Sequence, residues 1–154
     1  MIAYVGSQNN AAGTGAYSTS LNHGLAISLT NVESGSATMP LATAVSTISS
    51  YASEHPLLSS SWLLPTAYQW QRMFEACGGG TFTALSDGMT FSYGKFISYL
   101  VDCGGTAINI TDSSPYWTST EYSAANAWQY NFNDTKFCQR EKTSNYYVRA
   151  CFAF

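Results

Sequence analysis

A chain of 154 residues is long enough to bury most of its surface as one domain without staples. With 15% aromatic and only 10% charged residues, it does not have the composition of a disordered segment. Its formal net charge of −3 gives the whole molecule no electrostatic attraction for nucleic acid, and no apolar run is long enough to cross a membrane.

Met1 leads directly into Ile2-Ala3-Tyr4-Val5, which reads as a strand rather than a secretion leader. Gly6 to Gly24 is polar and glycine-rich and reads as a long loop, followed by a short strand over Leu25–Leu29 and a turn at Gly35-Ser36. Pro40 stands where a first helical residue belongs, and Leu41, Val45, Ile48 and Ala52 recur at helical spacing up to His55-Pro56. Thr66 and Gln69 have the spacing of a capping box, in which each side chain satisfies the other's backbone N–H. Trp70, Met73, Phe74 and Cys77 then form an apolar stripe that Gly78-Gly79-Gly80 terminates. A third helix is expected over Tyr93–Cys103, with Phe96, Ile97, Leu100 and Val101 inward.

Beyond Gly105 the period changes to two. Trp128, Tyr130 and Phe132 alternate with Gln129, Asn131 and Asn133, which predicts an aromatic face and an amide-rich, exposed one. Asn133-Asp134-Thr135 is a turn, and Lys136–Glu141 can pair with the strand on either side. Val148, Ala150, Phe152 and Phe154 alternate with Tyr147, Arg149, Cys151 and Ala153, predicting a last strand with one apolar face. The expected architecture is an α+β domain spanning residues 1–154, with an antiparallel meander in its last third. If the final hairpin turns at Ser144-Asn145, Cys138 and Cys151 lie opposite each other and are candidates for a disulfide.

Catalytic sets are not evident. His23 and His55 are the only histidines, no serine occupies a nucleophile elbow, and the glycine run follows a helix instead of opening one. Cys77, Cys103, Cys138 and Cys151 have no metal-ligand spacing, and no calcium loop is present. Cys77 and Cys103 end apparent helices and read as small core residues. The chain is therefore expected to be neither an enzyme nor a holder of a metal or cofactor. Asn109-Ile110-Thr111 and Asn133-Asp134-Thr135 match the glycosylation triplet, a short pattern of low specificity.

Four of the six basic residues, Lys136, Arg140, Lys142 and Arg149, fall in the last nineteen positions. They read either as solubility charges on a solvated hairpin or as part of a recognition surface. Pro115–Asn145 also concentrates Tyr, Trp, Asn, Ser, Thr and Gln, a mixture of rigid contact area and adaptable hydrogen bonding that combining sites use.

Trp62-Leu63-Leu64-Pro65-Thr66, the helix with Trp70 and Phe74, Tyr116-Trp117-Thr118-Ser119-Thr120-Glu121, Ala127-Trp128, Asn131-Phe132, Lys142 and Tyr147-Val148-Arg149 follow one another in this order. The series resembles a bacterial group of C-type-lectin-like domains, similar to the formylglycine-generating-enzyme branch of that fold. It looks especially like the variable proteins of diversity-generating retroelements, whose C-terminal segment is rewritten by adenine-directed mutagenesis. The resemblance covers residues 60–154 well and the N-terminal part loosely. It implies two to three helices packed around small antiparallel sheets, with Trp117, Trp128, Phe132 and Val148 as scaffold. Tyr122, Asn126, Gln129, Asn133, Lys136, Cys138, Arg140 and Asn145 match ligand-contacting positions, and Asn131 and Tyr147 join them as exposed residues of the meander.

The implied function is recognition of a protein or glycan ligand on another cell or particle, from a phage particle or bacterial surface. The calcium-binding strings of sugar-binding lectins and the cysteines of formylglycine-generating enzymes are absent, so neither activity carries over. The alternative is a non-varying surface domain, such as an adhesin, pilus-tip or lipoprotein module.

Overall fold

The computed structural model describes residues 1–5, 24–32, 38–58, 60–108, 110 and 115–154. The expected loop after Gly6, His23, the Gly35-Ser36 turn, Asn109 and Thr111 lie outside the described residues. The architecture is α+β. Its helices are α1 (Leu41–Glu54), α2 (Ala67–Ala76) and α3 (Phe96–Asp102). The strands are β1 (Ile2–Val5), β2 (Gly24–Ile27), β3 (Met89–Thr90), β4 (Pro115–Glu121), β5 (Asn126–Asn131), β6 (Lys136–Glu141) and β7 (Cys151–Ala153). They form two antiparallel sheets, ordered β1-β2-β7 and β3-β6-β5-β4.

Helix α2 begins where its capping chemistry requires. The Gln69 amide donates to Thr66 Oγ1 at 3.0 Å, and the Thr66 amide donates to Gln69 Oε1 at 2.8 Å. Two of the four orphan N–H groups of the first turn are thereby satisfied. The stripe of Trp70, Met73, Phe74 and Cys77 is buried as its spacing demands. Helix α1 differs from expectation by its facing. Pro40 is the N-cap residue rather than the first helical one, and Leu41, Ala44 and Ile48 point inward while Val45 is exposed. The stripe runs through a small residue, Ala44, which allows close approach. Helix α3 starts three residues later than expected, at Phe96, and buries Phe96 and Leu100; Val101 is exposed and Ile97 is partly buried against the core.

The core is divided. One cluster joins α2 and α3 to Tyr116, Trp128, Tyr130, Phe132 and Phe137. The other joins α1 to Leu64, Trp117, Ala127, Val148 and Ala150. The larger sheet contributes to both, so each of its faces has core to cover. Trp117 is fixed further by donation from its indole Nε1 to the Met39 carbonyl at 2.8 Å.

After β6 the chain leaves that sheet. Tyr146 bridges to Met39 and Tyr147 to Tyr116, and β7 then pairs with β2, with Cys151 opposite Ile27. The expected closing hairpin is therefore not formed. Cys138 faces Gln129 on β5, Cys151 is buried in the smaller sheet, and all four cysteines are free thiols. Cys103, expected in the core, is exposed at the end of α3.

The final segment buries both of its faces, because Val148 and Ala150 enter the second cluster while Arg149 and Cys151 turn the other way and are covered as well. Arg149 is 1% exposed. It belongs to neither a solvated hairpin nor a recognition surface: its guanidinium donates to the carbonyls of Ser28, Leu29 and Thr106 at 3.1, 2.9 and 2.8 Å. The side chain thus ties the end of β2 and the segment after α3 to the C-terminal strand. Burial lowers its pKa, and the adjacent Tyr116 phenol raises it again.

Candidate functional site

Strand register sorts the expected contact residues onto two faces, since partners across a ladder share a face and neighbours along a strand do not. Trp117, Gln129 and Cys138 form one row across β4, β5 and β6. Ala127 with Arg140, and Asn131 with Lys136 and Thr90, continue the same face. Tyr116, Tyr130, Phe137 and Met89 form a row on the other, where Trp128 pairs with Gln139 and Asn126 with Glu141.

The first face changes character from β4 to β6. Trp117 and Ala127 are fully enclosed, Cys138 is half-buried, and Lys136 and Arg140 are exposed. Gln129 and Asn131, expected in solvent, are instead 2% and 8% exposed. Alternation correctly separates them from the aromatic face, but their face adjoins the second core cluster rather than water. Asn131 moreover builds the β5–β6 turn. Its Oδ1 accepts from the Asn133 amide at 2.9 Å and its Nδ2 donates to Asp134 Oδ2 at 3.1 Å. That turn closes at Thr135 with φ 54°, a left-handed conformation that few non-glycine residues take. Gln129 Oε1 is buried without a partner.

The other expected contacts lie around this sheet. Tyr122, in the β4–β5 connection, is 57% exposed and sets its ring edge-on against Trp128, with centroids 5.6 Å apart. Asn126 is half-buried and donates through Nδ2 to Gln139 Oε1. Asn133 is exposed in the turn, and Asn145 is exposed beyond β6. Tyr147 is not a free surface residue. Its backbone is bonded to Pro115 and Trp117, and its ring lies 5.4 Å from that of Tyr116, packed against the first core cluster.

Two supporting carboxylates, Asp87 and Glu121, were not among the expected contact residues. Asp87 accepts from the Gln139 amide at 2.8 Å, and Arg140 Nη1 donates to the Gln139 carbonyl at 2.7 Å. Beyond the two-residue strand β3, charged side chains therefore occupy an edge that another chain would otherwise pair with. Glu121 pairs with Lys142 at 2.8 Å across the base of the β4–β5 connection. Only Asp87, beside Gly88 at the start of a strand, carries a local signal, that of a turn.

The result is a sheet end that offers hydrogen bonds, a rigid exposed phenol ring and two cations. Among the described residues no group of three or more His, Cys, Asp and Glu is arranged to hold a metal ion, and no helix is long and apolar enough to cross a membrane. His55 stacks on Tyr51 with its ring nitrogen 3.1 Å from the Tyr51 carbonyl, at an exposed helix end. No protein-family model matches this chain, and no curated protein matches it either.

Proposed function

We propose that this chain is a ligand-recognition domain of the C-type-lectin-like type, the variable protein of a diversity-generating retroelement, displayed on a bacterial surface or phage particle. It recognises a protein or glycan on another cell or particle, and the contacts come from the exposed residues of the C-terminal meander. The observation that supports this reading most is the separation of tasks within β4–β6. Trp117, Trp128, Phe132 and Val148 are enclosed in the core, whereas Tyr122, Asn133, Lys136, Arg140 and Asn145 stand in solvent on β6 and the connections around it. Exposed positions on such a frame can change without disturbing the packing beneath.

The burial of Gln129 and Asn131 and the packing of Tyr147 on Tyr116 narrow the surface to Tyr122, Asn126, Asn133, Lys136, Cys138, Arg140 and Asn145. Two experiments test the reading. A near-copy of the 3′ coding region beside a reverse transcriptase gene is expected in the surrounding DNA, and its absence returns the chain to the non-varying surface domains. Once a ligand is in hand, Tyr122→Ala and Arg140→Ala should each weaken binding by about 1–3 kcal/mol and leave the unfolding free energy within about 0.5 kcal/mol. Normal binding by both variants counts against this surface.

A further inference from the structure

The charge on the outer part of the larger sheet is segregated. Lys136 and Arg140 lie on one face of β6 with Cys138 between them, and both are exposed. The acids nearby are engaged or directed elsewhere. Glu121 is paired with Lys142, Asp87 accepts from the Gln139 amide, Asp134 is held by Asn131, and Glu141 alternates onto the opposite face beside Asn126. The ion pairs among the described residues are Arg72–Glu75 and Lys142–Glu121, so neither Lys136 nor Arg140 has a carboxylate partner there. Arg140 uses Nη1 on the neighbouring carbonyl, which leaves the rest of its fork free for a planar anion. Between the two cations the floor is neutral. Cys138 is half-buried, and Gln129 behind it carries an acceptor oxygen with no donor.

We infer that this face takes an extended acidic polypeptide segment, whose carboxylates meet Lys136 and Arg140. The inference rests on the recognition surface proposed above and names the chemistry of its ligand. The two cations are four residues apart on one strand, about 13 Å. A second extended chain running along β6 rises at the same rate, so carboxylates at its positions i and i+4 meet both. An acidic polysaccharide carries closely repeated charge and calls for a denser track of cations. The exposed ring on which a sugar would stack, Tyr122, sits with Trp128 on the other face.

Fluorescence anisotropy with short labelled peptides tests this directly. The peptides carry Glu at i and i+4, Glu at i and i+2, or Lys at i and i+4 in a Ser/Thr/Gly background, and a galacturonate oligomer serves as the polyanion. The first peptide is expected to bind best, with affinity falling as salt rises from about 20 to about 200 mM. Lys136→Gln and Arg140→Gln should each weaken it by about two- to fivefold, the range for exposed ion pairs. Equal or tighter binding of the galacturonate oligomer, indifference to Glu spacing, or no binding of the acidic peptides overturns the inference. Panning a displayed random-peptide library on the folded protein separates this failure from that of the recognition surface. Neutral binders that are lost in Tyr122→Ala or Asn126→Ala sink the acidic ligand and keep the surface, while binders insensitive to all four substitutions sink both.

Discussion

Two side chains show how far a residue's role departs from its type. Arg149 is one of four basic residues near the C-terminus, yet its guanidinium is spent on three carbonyls from two segments distant in sequence. Nothing local to Arg149 announces this, because the partners are more than forty residues away in the chain. Lysine cannot reproduce a fork of that width. Arg149→Lys is therefore expected to cost about 2–3 kcal/mol, from carbonyls left without donors in a buried site, read as a lower urea midpoint with unchanged slope. A wild-type midpoint would show that the clasp is dispensable. Trp128 was legible from alternation alone, and it is enclosed as expected. Trp128→Ala should cost about 3–5 kcal/mol. Tyr147 gives the contrast with Tyr122. Both are tyrosines of the meander region, but Tyr147 is packed on Tyr116 and the core while Tyr122 is open on one side. Tyr147→Ala should lower stability by about 1–2 kcal/mol where Tyr122→Ala leaves it unchanged.

At the scale of elements, what was legible depended on how local the determinant is. The capping box and apolar stripe of α2 are written in the one stretch from Thr66 to Cys77, and both appear as expected. Thr66→Ala should accordingly cost about 1 kcal/mol; helix-specific loss of hydrogen-exchange protection over residues 67–70 is the measurement. The start of α3 depends instead on Gly94, at φ 56°, whose place for a Cβ lies 2.4 Å from the Cys77 carbonyl oxygen. That contact is long-range, so periodicity placed the start of the helix three residues too early. The meander β4–β5–β6 was legible because hairpin partners are neighbours in sequence. The destination of β7 was not, because alternation says which face is apolar and nothing about which sheet receives the strand. The Cys138–Cys151 pairing failed for this reason, and so did the expected exposure of Gln129 and Asn131. A period of two separates two faces, but here both faces adjoin core.

For the molecule as a whole, the division of the core puts an unusual number of weakly acidic groups out of water, and this sets its response to alkali. Burial pushes the Cys77 thiol up from 9.0 to about 11. It also raises Cys151, Tyr116 and Tyr130, the last helped by the neighbouring Tyr93. In each case the folded state holds its proton more tightly than the unfolded chain. The stability these groups contribute is fully present below their unfolded values and is lost as pH rises toward their folded ones. Arg149 opposes the trend, because burial lowers its pKa and a native state that sheds its proton more easily gains stability as pH rises. The raised thiols and phenols are thus expected to make the unfolding free energy decline between about pH 9 and 11, with Cys77 contributing of the order of 2 kcal/mol or less. Urea unfolding at several alkaline pH values, compared between wild type and Cys77→Ala, isolates that share. The variant should start lower at pH 7, because a buried side chain is truncated, and should then lose less on the way to pH 11. Parallel curves for the two proteins would mean that the Cys77 thiol titrates alike in the folded and unfolded chains, and that the loss belongs to the phenols and Cys151 alone.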